Sequence, residues 1–128
     1  MRAVRLVAAL ALAAPCGCAS PDRGELTYAC TPDGETAPRY LLTKADRADG
    51  LALGAVQDLA DGRWLAVGRP VPLSADEATW LAGDDAFVVA RRTGDLTVLD
   101  RARGGLKLRA ECDRVPFVPA PEQPSAVR

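Results

Sequence analysis

The chain has 128 residues, with 16 Lys and Arg against 17 Asp and Glu and no His, a formal charge of −1. The absence of histidine excludes Ser-His-Asp and Cys-His catalysis and removes the commonest zinc ligand and the usual neutral-pH proton shuttle, so composition argues against most enzymes. A mildly acidic chain does not favour polyanions, and nucleic acid is not an expected partner.

At the amino terminus, Arg2 and Arg5 precede an apolar run from Leu6 to Ala14 and then Pro15-Cys16-Gly17-Cys18-Ala19-Ser20. This is the shape of a secretory signal, too short to remain as a membrane span. Residues 1–19 are therefore read as a signal peptide of the lipoprotein kind, with cleavage before Cys18 and lipid on that cysteine. Cleavage after Ala19 is the rival route and would give a soluble exported protein. Either route removes Arg2 and Arg5, leaving 14 basic against 17 acidic residues, or −3. Either also removes Cys16 and leaves Cys30 and Cys112 as the pair of free thiols, which an exported domain is expected to join as a disulfide.

From Glu25 onward the pattern is β-like. Leu26, Tyr28 and Cys30 alternate with Glu25, Thr27 and Ala29; Leu96 and Val98 alternate with Asp95 and Thr97; Leu106, Leu108, Ala110 and Cys112 alternate with Lys107, Arg109 and Glu111. Period two marks strands with one buried face. Turn signals fall at Pro32-Asp33-Gly34, Asp49-Gly50, Asp61-Gly62, Gly83-Asp84, Thr93-Gly94-Asp95 and Gly104-Gly105. Their spacing predicts an all-β domain over 25–115, a sandwich or a small antiparallel barrel of seven or eight strands, closed by one disulfide. Ser74-Ala75-Asp76-Glu77 has a capping-box arrangement and is read as one helical turn or a structured loop. Pro116, Pro119, Pro121 and Pro124 cannot donate to a sheet ladder, so 116–128 is expected to be an extended or disordered tail.

No phosphate-binding Gly-rich loop, calcium loop or metal cluster is apparent, and no cofactor is expected. The carboxylate pairs Asp76/Glu77 and Asp84/Asp85 read as solvated turn charges. Trp64, flanked by Leu65 and Val67 in a strand, reads as a core filler, whereas Trp80 beside a loop is a candidate for exposure as an anchor for a protein partner or a sugar ring. Arg91-Arg92 at a strand end is either a solvated hairpin tip or a donor site for a partner's carboxylates.

In chain order, the lipoprotein-like signal, Tyr28-Ala29-Cys30, Val71-Pro72-Leu73-Ser74, the strand Ala86 to Arg91, Thr93-Gly94-Asp95 and the closing Cys112 together resemble the membrane-bound inhibitors of c-type lysozyme. The resemblance covers about residues 26–113. It implies an eight-stranded antiparallel barrel with a disulfide near its two ends, anchored by lipid on the periplasmic side of a bacterial outer membrane. The family's inhibitory loop carries Ser-Gly-x-x-Tyr, and Asp76-Glu77-Ala78-Thr79-Trp80 keeps the aromatic at the fifth position. Its second motif ends in Lys-Gly, matched here by Thr93-Gly94. In the family the Ser and Lys engage the lysozyme's catalytic carboxylates; here Asp76 stands at the Ser position, and Arg91 or Arg92 lies beside the missing lysine.

The expected function is thus a monomeric, non-enzymatic envelope lipoprotein that binds a c-type lysozyme by loop insertion, through Asp76, Thr79, Trp80, Arg91, Arg92 and Thr93. A non-inhibitory structural or protein-binding lipoprotein of the same fold is one alternative. A cell-wall glycan-binding module that stacks sugars on Trp64 and Trp80 is another.

Overall fold

The computed structural model describes residues 24–122. Eight strands follow in chain order: β1 (Leu26–Pro32), β2 (Tyr40–Asp46), β3 (Ala52–Asp58), β4 (Arg63–Pro70), β5 (Glu77–Ala82), β6 (Asp85–Ala90), β7 (Asp95–Asp100) and β8 (Leu106–Val115). All pairings are antiparallel, and the turns between strands fall at each of the six turn signals read from the sequence. The sheet order is β4-β3-β2-β1-β8-β7-β6-β5. Two four-stranded meanders are therefore joined by the ladder between the first and last strands.

That order leaves β4 and β5 as the edges, and the sheet curls until they approach, making a nearly closed barrel. The connection between them seals part of the seam. Val71 donates its N–H to the Ala52 carbonyl (3.0 Å), Thr79 donates to the Pro72 carbonyl (3.1 Å), and Leu73 bridges Ala78. An open edge presents unpaired backbone groups, so this plug both satisfies them and blunts the edge.

Alternation places Leu26, Tyr28 and Cys30 of β1 opposite Lys44, Leu42 and Tyr40 of β2, all buried on the inner face. The predicted disulfide is present: Cys30 and Cys112 are direct cross-strand partners in the β1–β8 ladder, bonded at 2.05 Å. Across the interior, Trp80 of β5 meets Tyr28 edge-on with ring centres 6.1 Å apart, and Phe87 of β6 meets Tyr40 at 5.1 Å.

The exposure assigned to Trp80 is corrected here. The residue is 1% exposed, and its indole N–H donates to the backbone carbonyl of Thr43 (2.8 Å). Ala78, Trp80 and Ala82 share the inward face of β5, so period two decides the matter against proximity to the loop. Space for the indole comes from Gly54 of β3. A Cβ there would stand 2.7 Å from the indole nitrogen and 2.4 Å from a Val71 methyl. Trp64, read as a core filler, is only half-buried: it is paired with Gln57 and lies outside the buried core cluster.

The charged segment at the end of β2 closes one mouth of the barrel. The Lys44 side chain is fully buried, and its ammonium group donates to the Gly24 carbonyl (3.1 Å) and to Asp46 Oδ1 (3.0 Å). Asp46 Oδ2 accepts the Gly24 N–H (2.8 Å). These bonds favour the ionised carboxylate: the Gly24 amide first, then Lys44, hold the Asp46 pKa below its usual value. A buried ammonium is tolerated because it is both paired and hydrogen-bonded.

Of the extended or disordered tail expected beyond β8, residues 116–122 lie against the barrel. This stretch runs back across the outer side of the sheet, where Val118 bonds the hydroxyls of Thr27 and Thr43. The prolines do prevent it from becoming a ladder strand, but they do not prevent docking through the one backbone N–H between Pro116 and Pro119 that meets an acceptor. Residues 123–128 lie outside the described region, as do the expected signal sequence and Cys18.

Candidate functional site

Because strands alternate in direction, one end of the barrel gathers Gly24, the β2–β3 turn, the β4–β5 connection and the β6–β7 turn. The last two carry most of the contact residues expected from sequence.

In the β4–β5 connection, Ser74 Oγ accepts the N–H groups of Asp76 (3.2 Å) and Glu77 (3.0 Å), as an N-cap would. No helical turn follows. Ser74 N–H instead donates to the Glu77 carbonyl (2.8 Å), and β5 begins at Glu77, so the capping signal builds a tight loop. Serine serves both geometries because its hydroxyl takes the same two amides in either.

Arg91 ties this loop to the β6–β7 turn. Its backbone N–H donates to the Asp76 carbonyl (2.8 Å), and its guanidinium donates to the Ser74 carbonyl. The turn itself is braced by Thr93, whose hydroxyl donates to Asp95 Oδ2 (3.0 Å) and accepts the Asp95 N–H (3.2 Å). Gly94 adopts φ +83°, where a Cβ would approach the Cys112 carbonyl oxygen to 2.5 Å. Its own carbonyl accepts the Cys112 N–H (2.8 Å), which fixes the turn to the disulfide-bearing strand.

The structure therefore brings Asp76, Arg91 and Thr93 together on two latched loops, with Arg92 exposed between the latter two. Thr79 sits half-buried on the outer side of β5, beside a shallow groove of about 180 Å³ lined with Pro72, Leu73, Ser74 and Glu77. Trp80 is not part of this surface. It supports the loops from within the barrel.

A second feature escaped the sequence reading. Where the β6–β7 turn ends, Asp95, Glu111 and Asp33 border a groove of about 410 Å³ that also touches Arg109, and an adjoining one of about 380 Å³ adds Glu35. These carboxylates lie far apart in sequence, and only the register Asp95↔Glu111 and Thr31↔Glu111 gathers them. The groove is open, with no apolar enclosure of the kind that raises a catalytic carboxyl pKa. Among the described residues no cluster of His, Cys, Asp or Glu is arranged to hold a metal ion.

The class defined by fold and site is that of a disulfide-closed, eight-stranded antiparallel barrel whose chemically featured surface is a pair of latched loops beside an acidic groove. Comparison with family models, curated proteins and solved structures found no match for the chain.

Proposed function

We propose that the chain is a cell-envelope lipoprotein that binds a c-type lysozyme and blocks it by occlusion, without catalysis of its own. The observation that carries the reading is the latch from Arg91 to the Ser74-Ala75-Asp76 loop, which holds two loops side by side at one end of the barrel. Loops already held in place lose little conformational freedom on binding, as insertion into a cleft requires. The acidic groove adjoining them suits a basic enzyme and would speed encounter at low salt.

The division of labour within the arginine pair follows from the latch. Arg91 is engaged with the Ser74 carbonyl, whereas Arg92 is exposed and makes no hydrogen bond or ion pair among the described residues. Arg92 is thus the cation available to a partner's carboxylates, and Asp76 is the group that opposes them. In a cell-wall lysis assay with a c-type lysozyme, the mature protein is expected to inhibit. Arg92→Ala should weaken inhibition by about tenfold or more, and Asp76→Ser should strengthen it. Unchanged lysis at tens of micromolar wild-type protein would sink the proposal.

Attachment through lipid on Cys18 forms part of the same reading, with an outer-membrane location on the periplasmic side. Cys18→Ser is expected to move the protein from the membrane fraction to the soluble fraction. An unchanged distribution would mean plain export.

A second reading, a protein-binding envelope lipoprotein that does not inhibit lysozyme, is favoured by one observation: Asp76 projects a carboxylate from the loop where the resembled family has Ser. Activity gained only in Asp76→Ser would select it.

A further inference from the structure

The outer side of the β1–β2 hairpin carries an arrangement that the barrel itself does not need. Thr27 and Thr43 are direct cross-strand partners, and both are 1% exposed although they point away from the core. What covers them is the segment after β8. Val118 N–H donates to Thr27 Oγ1 (2.9 Å), Thr43 Oγ1 donates to the Val118 carbonyl (2.7 Å), and the two hydroxyl oxygens are 2.8 Å apart. With the Thr43 proton committed to Val118, Thr27 donates to Thr43. The bonds therefore form a closed ring, beside which the Leu26 carbonyl lies 3.3 Å from Thr43 Oγ1 as a second, more distant acceptor.

This ring reads the main chain of one residue. An extended residue presents its N–H and C=O on the same side, and a following proline biases it toward that conformation, which Pro119 does for Val118. Beside the ring, Phe117 and Ala120 lie over Thr43, Ala45, Leu53 and Gly54, and a cavity of about 50 Å³ remains between them. Pro116, Pro119 and Pro121 lack N–H groups, so the strap gains no further ladder bonds through these residues.

We propose that this face is a peptide-docking groove which residues 116–120 occupy in cis, and that it accepts an extended segment of another protein with an aromatic residue, an aliphatic residue and a proline in succession. Backbone recognition by the threonine pair supplies the fixed point, and the Phe117 seat supplies selection for an aromatic. The strap bonds the sheet through the backbone of one residue and packs on it through Phe117 and Ala120, and it competes with the incoming segment for both.

The test uses the full mature chain and its Val118→Pro variant, which removes the N–H donor and leaves the barrel intact. An acetylated peptide of residues 115–122 is the probe, followed by fluorescence polarisation. Val118→Pro is expected to bind the peptide at least tenfold more tightly than wild type, and adding Thr27→Val with Thr43→Val should abolish the gain. In wild-type protein, the Val118 amide should exchange with solvent at least a hundredfold faster than the paired amides of β1. Equal peptide binding by wild type and Val118→Pro would overturn the proposal, as would a gain that survives loss of both threonines or Val118 exchange as slow as β1. A concentration-dependent wild-type dimer dissolved by the peptide would assign the groove to the strap of a second copy and equally overturn a foreign occupant.

Discussion

Replacing both Cys30 and Cys112 by alanine is expected to cost the barrel about 4.5 kcal/mol, the chain-entropy value for a loop of this length. The cysteines are 82 positions apart, so the bridge shortens nearly the whole domain in its unfolded state. It also sits where the architecture depends on it most. The meanders β1–β4 and β5–β8 are joined by the β1–β8 ladder, by the seam and by one connection, and the disulfide staples that ladder between directly opposed residues. Pairing of first and last strands carries the largest loop-closure cost in the fold, which the covalent link removes before folding begins. A domain of this size has about 5–15 kcal/mol of net stability, so the variant should be marginal or unfolded at 37 °C. Alanine is the informative substitute because serine would bury a hydroxyl, Cys30 being fully buried and Cys112 8% exposed. Urea unfolding of oxidised wild type and variant, followed by circular dichroism, measures the difference. A loss below about 1 kcal/mol would show that the unfolded chain is already compact or that the bridge is strained.

Trp80→Ala carries the second largest expected effect, about 3–5 kcal/mol, the range for removing a large aromatic side chain from a packed core. Three losses coincide at this position: the fully buried indole, its edge-on contact with Tyr28, and its hydrogen bond to the Thr43 carbonyl. Trp80 reaches from edge strand β5 to β2 on the other meander, so its removal also loosens the seam. Gly54→Ala probes the same contact from the facing wall, because the added methyl would meet the indole nitrogen and Val71 at distances no side chain tolerates. Overpacking of this kind costs about 1–3 kcal/mol. Both variants should shift the urea midpoint, and Trp80→Ala should also speed amide exchange along β5. A Trp80→Ala protein as stable as wild type would refute the idea that the indole joins the two meanders. The same substitution would also lower lysozyme binding if the proposed function holds, by loosening the loops and not by deleting a contact.

Within the candidate site, the sequence made some parts legible and hid others. Asp76 and Thr93 announced loops by their neighbours, and both lie on the latched pair. The role of Arg91 was not visible, because its partners, the carbonyls of Ser74 and Asp76, are backbone groups without a side-chain signature. Ser74 signalled local amide capping correctly, yet the choice between helical turn and tight loop depended on Leu73 pairing with Ala78. The acidic groove left no trace in the sequence because Asp33, Asp95 and Glu111 become neighbours only through strand register.

The sequence by itself determined the all-β class, the turn positions and the Cys30–Cys112 pairing. Each of these rests on short-range chemistry or simple counting: alternation along a strand, Gly and Asp in tight turns, and two thiols left after the expected leader is removed. Only the tertiary structure decided which tryptophan fills the barrel, how the β4–β5 seam is plugged, and that residues 116–122 dock on Thr27 and Thr43. These depend on which distant faces meet. Gly54 leaves room for one indole, and a proline segment that cannot join a ladder still finds two hydroxyls placed by the pairing of β1 with β2. No local pattern in the chain encodes contacts of that kind.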